Sequence, residues 1–343
     1  MTYLVLKYDL RAPAFGTPTP ELYRAAIEQC AWADRQGFGT LMLAEHHGSE
    51  DGYLPSPVAL GCAIAAVTER MRIRVQAMIL PFHDPLRLAE DLAVLDQISG
   101  GRAEITAAGG YVPAEFAMFG VDLKDRGRLV EESIQTLRQA WTGEPFDYRG
   151  RPARVTPRPV QSELPIALGG ASRAAARRAA RLEAAAFIPA MPELHELYAD
   201  ECSRLGRQPA PPEVMGPVFL HVAEDPEAAW ARIAPHALHE TNAYGRWMQD
   251  SMGDQATYKP VEDAEALRRS GAYQVVTPEE CLRIARELGP GGRLALHPLM
   301  GGMDPELGWE SLRLVADRVL PHLDIEPPAP VGRHLAPGAA PRP

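Results

Sequence analysis

The sequence has little cysteine, no long apolar run and no excess of positive charge. Its four cysteines form no Cys-X-X-Cys pair and none is spaced with a histidine as in a zinc finger, so we expect small buried residues in a reducing compartment. No apolar run approaches the roughly 18 residues that cross a bilayer. The net charge of −10 argues against a nucleic-acid partner, because phosphate backbones are bound by stripes of lysine and arginine. We therefore expect a soluble, cytoplasmic protein.

What the sequence does contain is a long alternation of strand-like and helix-like segments. Hydrophobic residues make up 46% of the 343 positions, enough for a large core. Eight strands are expected, at 3–8, 40–44, 72–80, 103–107, 165–168, 184–188, 214–222 and 292–296. Strict alternation with helices indicates parallel strands joined by right-handed crossovers, and eight such units close a (β/α)₈ TIM barrel. An open doubly wound α/β sheet is the alternative, but no dinucleotide-binding fingerprint follows the first strand.

Three segments depart from this regular pattern. Residues 249–290 separate the seventh and eighth strand units, and we expect an insertion with a short helix after Thr277-Pro278. Residues 144–161 are rich in proline, arginine and glycine and are expected to form a loop. Residues 324–343 are rich in proline and alanine and are expected to be a tail. The barrel domain would then be 1–323.

Barrel enzymes place their chemistry at the carboxyl ends of the strands, which directs attention to Glu45, His46 and His47 after the second strand. Neighbouring residues at a strand end point in different directions, so one histidine can face the cavity. A neutral imidazole can accept or deliver a proton near pH 7. From position alone, a structural cluster that closes the barrel mouth is an equally good interpretation. No third ligand lies nearby in the sequence, so no metal site is predicted.

Glycine-rich turns follow two other strands. After the fourth strand, the small residues Ala108, Gly109 and Gly110 leave room for a flat ring or a phosphate tail, and Tyr111 could stack on it or donate a hydrogen bond, although a tight turn is the simpler interpretation. A turn after the fifth strand leads into a helix whose free N–H groups can hold an anion, or which Ser172 merely caps; its residues are Gly169, Gly170, Ala171, Ser172 and Arg173.

Single residues near the same barrel end are further candidates. Gln76-Ala77 lies in the third strand, where a small residue at the lip suggests contact with something planar. The histidines His83 and His297 are more simply loop or packing residues. Three aromatic residues are as well explained by packing as by a substrate pocket: Tyr53, Tyr244 and Trp247.

At these positions the sequence resembles the bacterial luciferase-like flavin monooxygenases. The similarity runs from Leu4 to Leu323 and is densest in TLMLAEHHGSEDGYLPSP, ILPFHDPLRLAEDLAVLDQISGGRAEI and GGYVPAEFAMFGVD. PIALGGASRAAARRAA and HPLMGGMDPELGWESLRLVADRVLPHL follow in the family's order. The resemblance implies a TIM barrel that binds reduced FMN, or the deazaflavin F420 in a sister group, and a homodimer.

The same resemblance implies roles for individual residues. His46 would be the catalytic histidine beside the flavin ring, supported by Glu45 and His47. The Gln76-Ala77 bond matches a position that is often cis in the family, and Ser172 matches a phosphate-binding serine. Two positions depart from the pattern, since Gly109 stands where many members have an arginine for the flavin phosphate and Ala171 where they have a glutamate. Phosphate binding would then rest on backbone N–H groups, Ser172 and Arg173.

Three functions remain open on the sequence. The first is a two-component monooxygenase, supplied with reduced FMN by a separate reductase, that uses O₂ to oxygenate a small organic substrate. The second is an F420-dependent oxidoreductase that transfers a hydride without O₂, which the missing arginine favours. The third is a non-catalytic flavin-binding protein, against which the intact Glu45-His46-His47 motif argues.

Overall fold

The computed structural model describes residues 3–253 and 259–324. Eleven strands lie within these ranges: β1 (Tyr3–Tyr8), β2 (Thr40–Leu43), β3 (Arg72–Ile79), β4 (Ala103–Ala108), β5 (Phe146–Tyr148), β6 (Arg151–Ala153), β7 (Ile166–Gly170), β8 (Phe187–Pro189), β9 (Phe219–Val222), β10 (Tyr273–Val276) and β11 (Arg293–Leu296). Nine of these form one parallel sheet in the order β10-β9-β11-β1-β2-β3-β4-β7-β8.

The α/β barrel fold predicted from the sequence is confirmed. All eight expected strands are present and follow one another around the sheet in chain order, with β11 beside β1 as the returning eighth strand. Among the described residues, no bridge joins β8 to β9 across the remaining gap. The seventh strand was expected over 214–222, but its ladder covers only β9, preceded by an isolated bridge at Met215.

The helices alternate with the strands on the outside of the sheet. They are α1 (Thr19–Gln36), α2 (Pro57–Ala65), α3 (Pro85–Ser99), α4 (Pro113–Phe119), α5 (Arg126–Ala140), α6 (Arg173–Arg181), α7 (Glu193–Arg204), α8 (Pro226–Met252), α9 (Ala264–Arg269), α10 (Pro278–Leu288) and α11 (Pro305–Leu314). None of the helices in the described ranges combines the length and apolarity that a membrane crossing requires.

Capping residues explain why several of these helices begin where they do. Asp84 accepts hydrogen bonds from two backbone N–H groups at the start of α3, and Pro85 suits its first turn. Gly100 ends α3 with a φ of 66°, a conformation that glycine adopts without steric strain. Thr277 and Glu280 form a reciprocal capping box at the start of α10, the helix expected after Thr277-Pro278.

Two expectations about the irregular segments need correction. The segment 144–161 is not only a loop, because β5 and β6 form an antiparallel hairpin within it. The insertion 249–290 contains α9, β10 and α10, and β10 extends the main sheet beside β9. Short segments such as β5, β6 and β10 bury few residues and carry a weak sequence pattern. The expected tail lies outside the described residues from 325 onward.

Candidate active site

Glu45 is the centre of a buried hydrogen-bond cluster at the end of β2. Its Oε1 atom accepts from Nε2 of His47 at 3.0 Å and from Nε2 of His83 at 2.6 Å, and its Oε2 accepts from the backbone N–H of Ile79 at 2.6 Å. Burial raises the pKa of Glu45, but these donors and the charge of His83 outweigh burial and lower the pKa overall. Glu45 is therefore an ionised anchor that joins the ends of β2 and β3.

His46 points away from Glu45 and is oriented by a different carboxylate. Its Nδ1 atom lies 2.8 Å from Oε1 of Glu115, a residue of α4, and the same oxygen accepts the backbone N–H of His47 at 2.8 Å. Glu115 is 2% exposed. Because the carboxylate accepts the Nδ1 proton, it favours the tautomer in which Nε2 is the basic atom. The other ring nitrogen, Nε2, points away from Glu115.

Four aromatic rings surround His46, and we call them the aromatic enclosure: Tyr53, Tyr111, Tyr244 and Trp247. Trp247 is tilted by 32° from the imidazole plane, with ring centres 4.4 Å apart, and Tyr53 meets the imidazole edge-on at 4.8 Å. Tyr111 and Tyr244 are both 5.9 Å away. The enclosure leaves His46 only 7% exposed. It provides an apolar, water-poor setting for the basic imidazole nitrogen.

Arg11 forms the opposite side of the enclosure. The chain leaves β1 through Leu10, whose φ is 54°, and this turn places Arg11 fully out of solvent. Its guanidinium carbon lies 4.6 to 5.1 Å from the ring centres of Tyr53, Tyr244 and Trp247, within the range of cation–π contacts. Nη1 donates to Asp51 at 2.5 Å.

Behind Arg11, buried charged groups line the interior of the barrel. His297 lies 3.6 Å from Asp9 and 3.7 Å from Glu240, and Lys7 lies 3.9 Å from Glu240. Asp9, Glu240 and His297 each offer one potential ligand atom, all within 4.8 Å of one another. The positive charges of Arg11 and Lys7 beside them disfavour a metal cation there, and the three residues are better described as an ion-pair network.

Partly buried residues, most of them small, lie at the ends of the neighbouring strands β3, β4 and β7, and we call them the shelf: Gln76, Ala77, Ala108, Gly109, Gly110, Gly169 and Gly170. The Gln76-Ala77 peptide bond is cis, as the resemblance implies. Gly110 has a φ of 71°, and a Cβ atom there would lie 2.8 Å from Ile79. Glycine at this position is therefore required by backbone geometry and packing alone.

The shelf continues to the start of α6. Ser172 caps this helix by accepting the N–H of Ala175 at 3.2 Å, and Ala171, Ser172 and Arg173 are exposed. At Gly109, a Cβ atom would lie 3.5 Å from the side chain of Arg126. The first N–H groups of a helix have no intrahelical acceptor and favour an anion. The residues present therefore fit a cofactor with a flat ring on the shelf and a phosphate at the start of α6.

The structure places the candidate residues in the enclosure, the Glu45 cluster and the shelf, and it places His297 in the ion-pair network. Tyr111 and the other enclosure rings contact His46, whereas His47 and His83 belong to the Glu45 cluster. Glu115 and Arg11 were not predicted as site residues from the sequence. A glutamate in the otherwise apolar PAEFAMF segment, and an arginine directly after a strand, are the signals that point to them.

The chain matches the model of the family described as luciferase-like monooxygenase over residues 9–286. It is 27% identical to 4-hydroxyprotoasukamycin monooxygenase of Streptomyces nodosus subsp. asukaensis over 326 residues, covering 87% of this chain and 86% of that protein. The chain spans half or less of two uncharacterised Sinorhizobium fredii proteins that it also matches, with 50% and 40% of their lengths covered.

Solved structures with the same fold bind two different cofactors. The oxygenating constituent of 3,6-diketocamphane monooxygenase from Pseudomonas putida, in complex with FMN, superimposes with a TM-score of 0.70 at 21% identity, covering 93% of this chain and 97% of that one. An F420-dependent secondary alcohol dehydrogenase gives 0.67 at 16% identity, with 93% and 98% covered. At these identities the likeness concerns the fold.

Proposed function

Because this chain belongs to the luciferase-like monooxygenase family, we propose that it is a flavin-dependent monooxygenase that oxygenates a small organic substrate with reduced FMN and O₂. The observation that carries the proposal is the His46–Glu115 pair, whose second imidazole nitrogen faces an aromatic enclosure beside the shelf. Reduced FMN, when bound, supplies the electrons that activate O₂.

The residues divide this work between them. His46 handles a proton at Nε2, and Glu115 keeps the imidazole in the orientation and tautomer that leave Nε2 available. Glu45 and His47 support the motif by fixing the ends of β2 and β3. The enclosure excludes water, which limits side reactions during oxygen transfer.

The shelf is the proposed cofactor site. The ring would lie on the small residues of β3, β4 and β7, and the phosphate at the start of α6 near Ser172 and Arg173. The aliphatic part of the Arg126 side chain lies close to Gly109, and its guanidinium Nη1 donates to the backbone carbonyl of Leu123 at 2.9 Å. In this proposal, the guanidinium turns to the phosphate in place of the family's missing arginine. We expect Arg126→Ala to weaken FMN binding about tenfold, as fluorescence titration would show.

The absence of an arginine at position 109 also favours a second candidate, an F420-dependent oxidoreductase in which His46 acts as acid or base for hydride transfer. Turnover of candidate substrates with reduced FMN and O₂, compared with reduced F420 without air, separates the two. A protein that binds either cofactor but turns over no substrate would be the non-catalytic flavin-binding protein.

His46→Ala is the direct test of the proposed role. We expect FMN binding within a few-fold of the native protein, because His46 lies in the enclosure, and a loss of product formation of at least about 100-fold. Fluorescence titration measures the first and incorporation of labelled O₂ into product the second. Unchanged turnover would contradict the role of His46.

The exposed apolar residues and the cysteines support proposals about partners and location. Exposed apolar side chains lie at the end of α2, along α3 and in the loop before β7, and they favour a homodimer through this face: Val67, Val94, Ile98 and Val160. Light scattering of the native protein and of Ile98→Glu tests the proposed homodimer, and a monomeric native protein would contradict it.

The four free cysteines suit a reducing cytoplasm. A separate flavin reductase would supply the reduced FMN.

A further inference from the structure

Arg11 is fully buried, yet two of its three guanidinium nitrogens lack an acceptor. Nη1 donates to Asp51, whereas Nε and Nη2 have no hydrogen-bond partner among the described residues. Leaving charged donors unsatisfied in a water-poor site is costly, so such groups are normally completed by water, an ion or a ligand. The proposed proton transfer at His46 does not use Arg11 and leaves these donors unexplained.

The charges around Arg11 decide what kind of acceptor fits. Nε lies 3.8 Å from Oδ2 of Asp9, which is too far for a hydrogen bond but close enough for charge attraction. Burial raises the pKa of Asp9 and of Asp51, but their histidine partners and Arg11 outweigh it and lower both pKa values. One guanidinium therefore faces two carboxylates. A further anionic group would be repelled, whereas a neutral carbonyl or hydroxyl oxygen would be accepted.

Arg11 and His46 contact the same rings. The guanidinium carbon lies 4.6 Å from the ring centre of Tyr53 and 4.7 Å from that of Trp247. The His46 ring lies 4.8 Å and 4.4 Å from the same two centres. A flat compound that enters among these rings would reach the Arg11 donors and the His46 imidazole together.

We infer that Arg11 is a specificity-determining residue that donates a hydrogen bond to a neutral oxygen of the substrate. The substrate class is then a planar or cyclic compound with a carbonyl or hydroxyl group, held between Arg11 and His46. This inference rests on the proposed function, because it assumes that the compound bound in the enclosure is the one that reacts.

The test uses binding rather than turnover. Acetophenone, ethylbenzene and benzoate have similar rings but carry a carbonyl, no acceptor and a carboxylate respectively. Calorimetric titration of the full chain, with and without FMN, should show acetophenone binding at least about tenfold more tightly than ethylbenzene and more tightly than benzoate. Equal affinities, a preference for benzoate, or no binding of any probe would overturn the inference.

A variant of Arg11 and a matched control test whether Arg11 causes the preference for acetophenone. Arg11→Lys keeps the charge beside Asp51 but removes the Nε and Nη2 donors, so the preference for acetophenone over ethylbenzene should disappear. Arg74→Lys, at the other end of the barrel, is the matched control and should keep it. If Arg11→Lys does not fold, Asp51→Asn serves instead. It removes one of the two carboxylates, so benzoate affinity should rise about tenfold, and an unchanged benzoate affinity would contradict the charge argument.

The outcomes separate this inference from the proposed function. A ketone preference that depends on Arg11, in a protein that produces no oxygenated product with reduced FMN and O₂, would support Arg11 and refute the monooxygenase. If the protein instead forms product from compounds without an acceptor oxygen, and Arg11→Lys leaves the rate unchanged, the monooxygenase would be supported and the role of Arg11 refuted.

Discussion

The two ends of the barrel both bury arginines, but in different surroundings. At the amino-terminal end, Arg74 donates through Nε to Glu104 at 3.0 Å and through Nη1 to Glu213 at 2.8 Å. At the carboxyl-terminal end, Arg11 donates to one carboxylate and otherwise faces aromatic rings. Among the described residues, Arg74 thus has two carboxylate partners and leaves Nη2 without an acceptor, whereas Arg11 has one carboxylate partner and leaves both Nε and Nη2 without an acceptor.

The balance of charge also differs between the ends. Arg72, Arg74 and Arg293 share two glutamates at the amino-terminal end, an excess of positive charge. The carboxyl-terminal end has the opposite excess, because three carboxylates face Lys7 and Arg11. A structural ion network and a ligand-binding cluster can therefore use the same residue type. Arg72 and Arg293 also have buried nitrogens without a hydrogen-bond partner among the described residues, so the two ends differ in what surrounds the arginines. Glutamates surround the amino-terminal ones, whereas Arg11 lies against the rings of the enclosure.

The largest effect is expected from Glu104→Gln, which breaks the amino-terminal network. It leaves three buried arginines with one glutamate, and breaking a buried pair costs about 3–5 kcal/mol of unfolding free energy. Denaturant unfolding followed by circular dichroism measures it. Glu132→Gln, which loses an exposed pair with Arg128, should change stability by less than about 1 kcal/mol. A loss at Glu104 as small as this would mean that the network is not structural.

Glu115→Gln should separate activity from stability at the other end. The amide still fills the space beside His46 but no longer carries the charge that favours the Nδ1–H tautomer. We expect kcat to fall about 100-fold while the melting temperature changes by only a few degrees. Recovery of activity in Glu115→Asp would support a positioning role for the carboxylate, whereas unaltered kcat in Glu115→Gln would remove Glu115 from the site.

The fold was predictable, and a candidate site could be proposed, because the signals are local and repeated. Each barrel strand is an apolar run followed by a turn, and the functional end of a barrel follows from the strand direction. Glu45, His46 and His47 were therefore found from one strand end. The hairpin of β5 and β6 and the added strand β10 were not, since segments of three or four residues carry little periodicity.

The partners of the site residues were not predictable, because they depend on contacts between distant segments. Glu115 is 69 positions from His46, and Tyr244 is 191 positions from Tyr53. A pattern of residue types shows that a carboxylate follows the fourth strand but not which histidine it reaches. The adjacent histidines illustrate the point, since His46 bonds to Glu115 and His47 to Glu45.

A smaller effect is expected at His221 in β9, a buried histidine outside both end clusters. Burial and the charge of Arg232 lower its pKa to about 4, below about 6.5 in the unfolded chain. The unfolded chain therefore takes up a proton that the folded protein refuses, and stability falls as the pH drops from about 7 towards 4. The loss between pH 7 and pH 5 is about 2 kcal/mol. Denaturant unfolding at both pH values should show that His221→Leu removes most of this loss. His322→Leu, at an exposed position, should keep the full pH dependence.

The smallest effect should come from Tyr53→Phe, which tests how firmly the enclosure is built. The hydroxyl groups of Tyr53 and Tyr244 are 2.7 Å apart, and removing one costs about 1 kcal/mol in unfolding free energy. Tyr273→Phe is the matched comparison, because its hydroxyl donates to the buried carboxylate of Glu240 at 2.7 Å and its loss should cost about 2 kcal/mol. If the enclosure opens to admit substrate, its own bonds must be weaker than those of the interior network. Denaturant unfolding that ranks Tyr53→Phe above Tyr273→Phe in cost would show instead that the enclosure is a rigid part of the core.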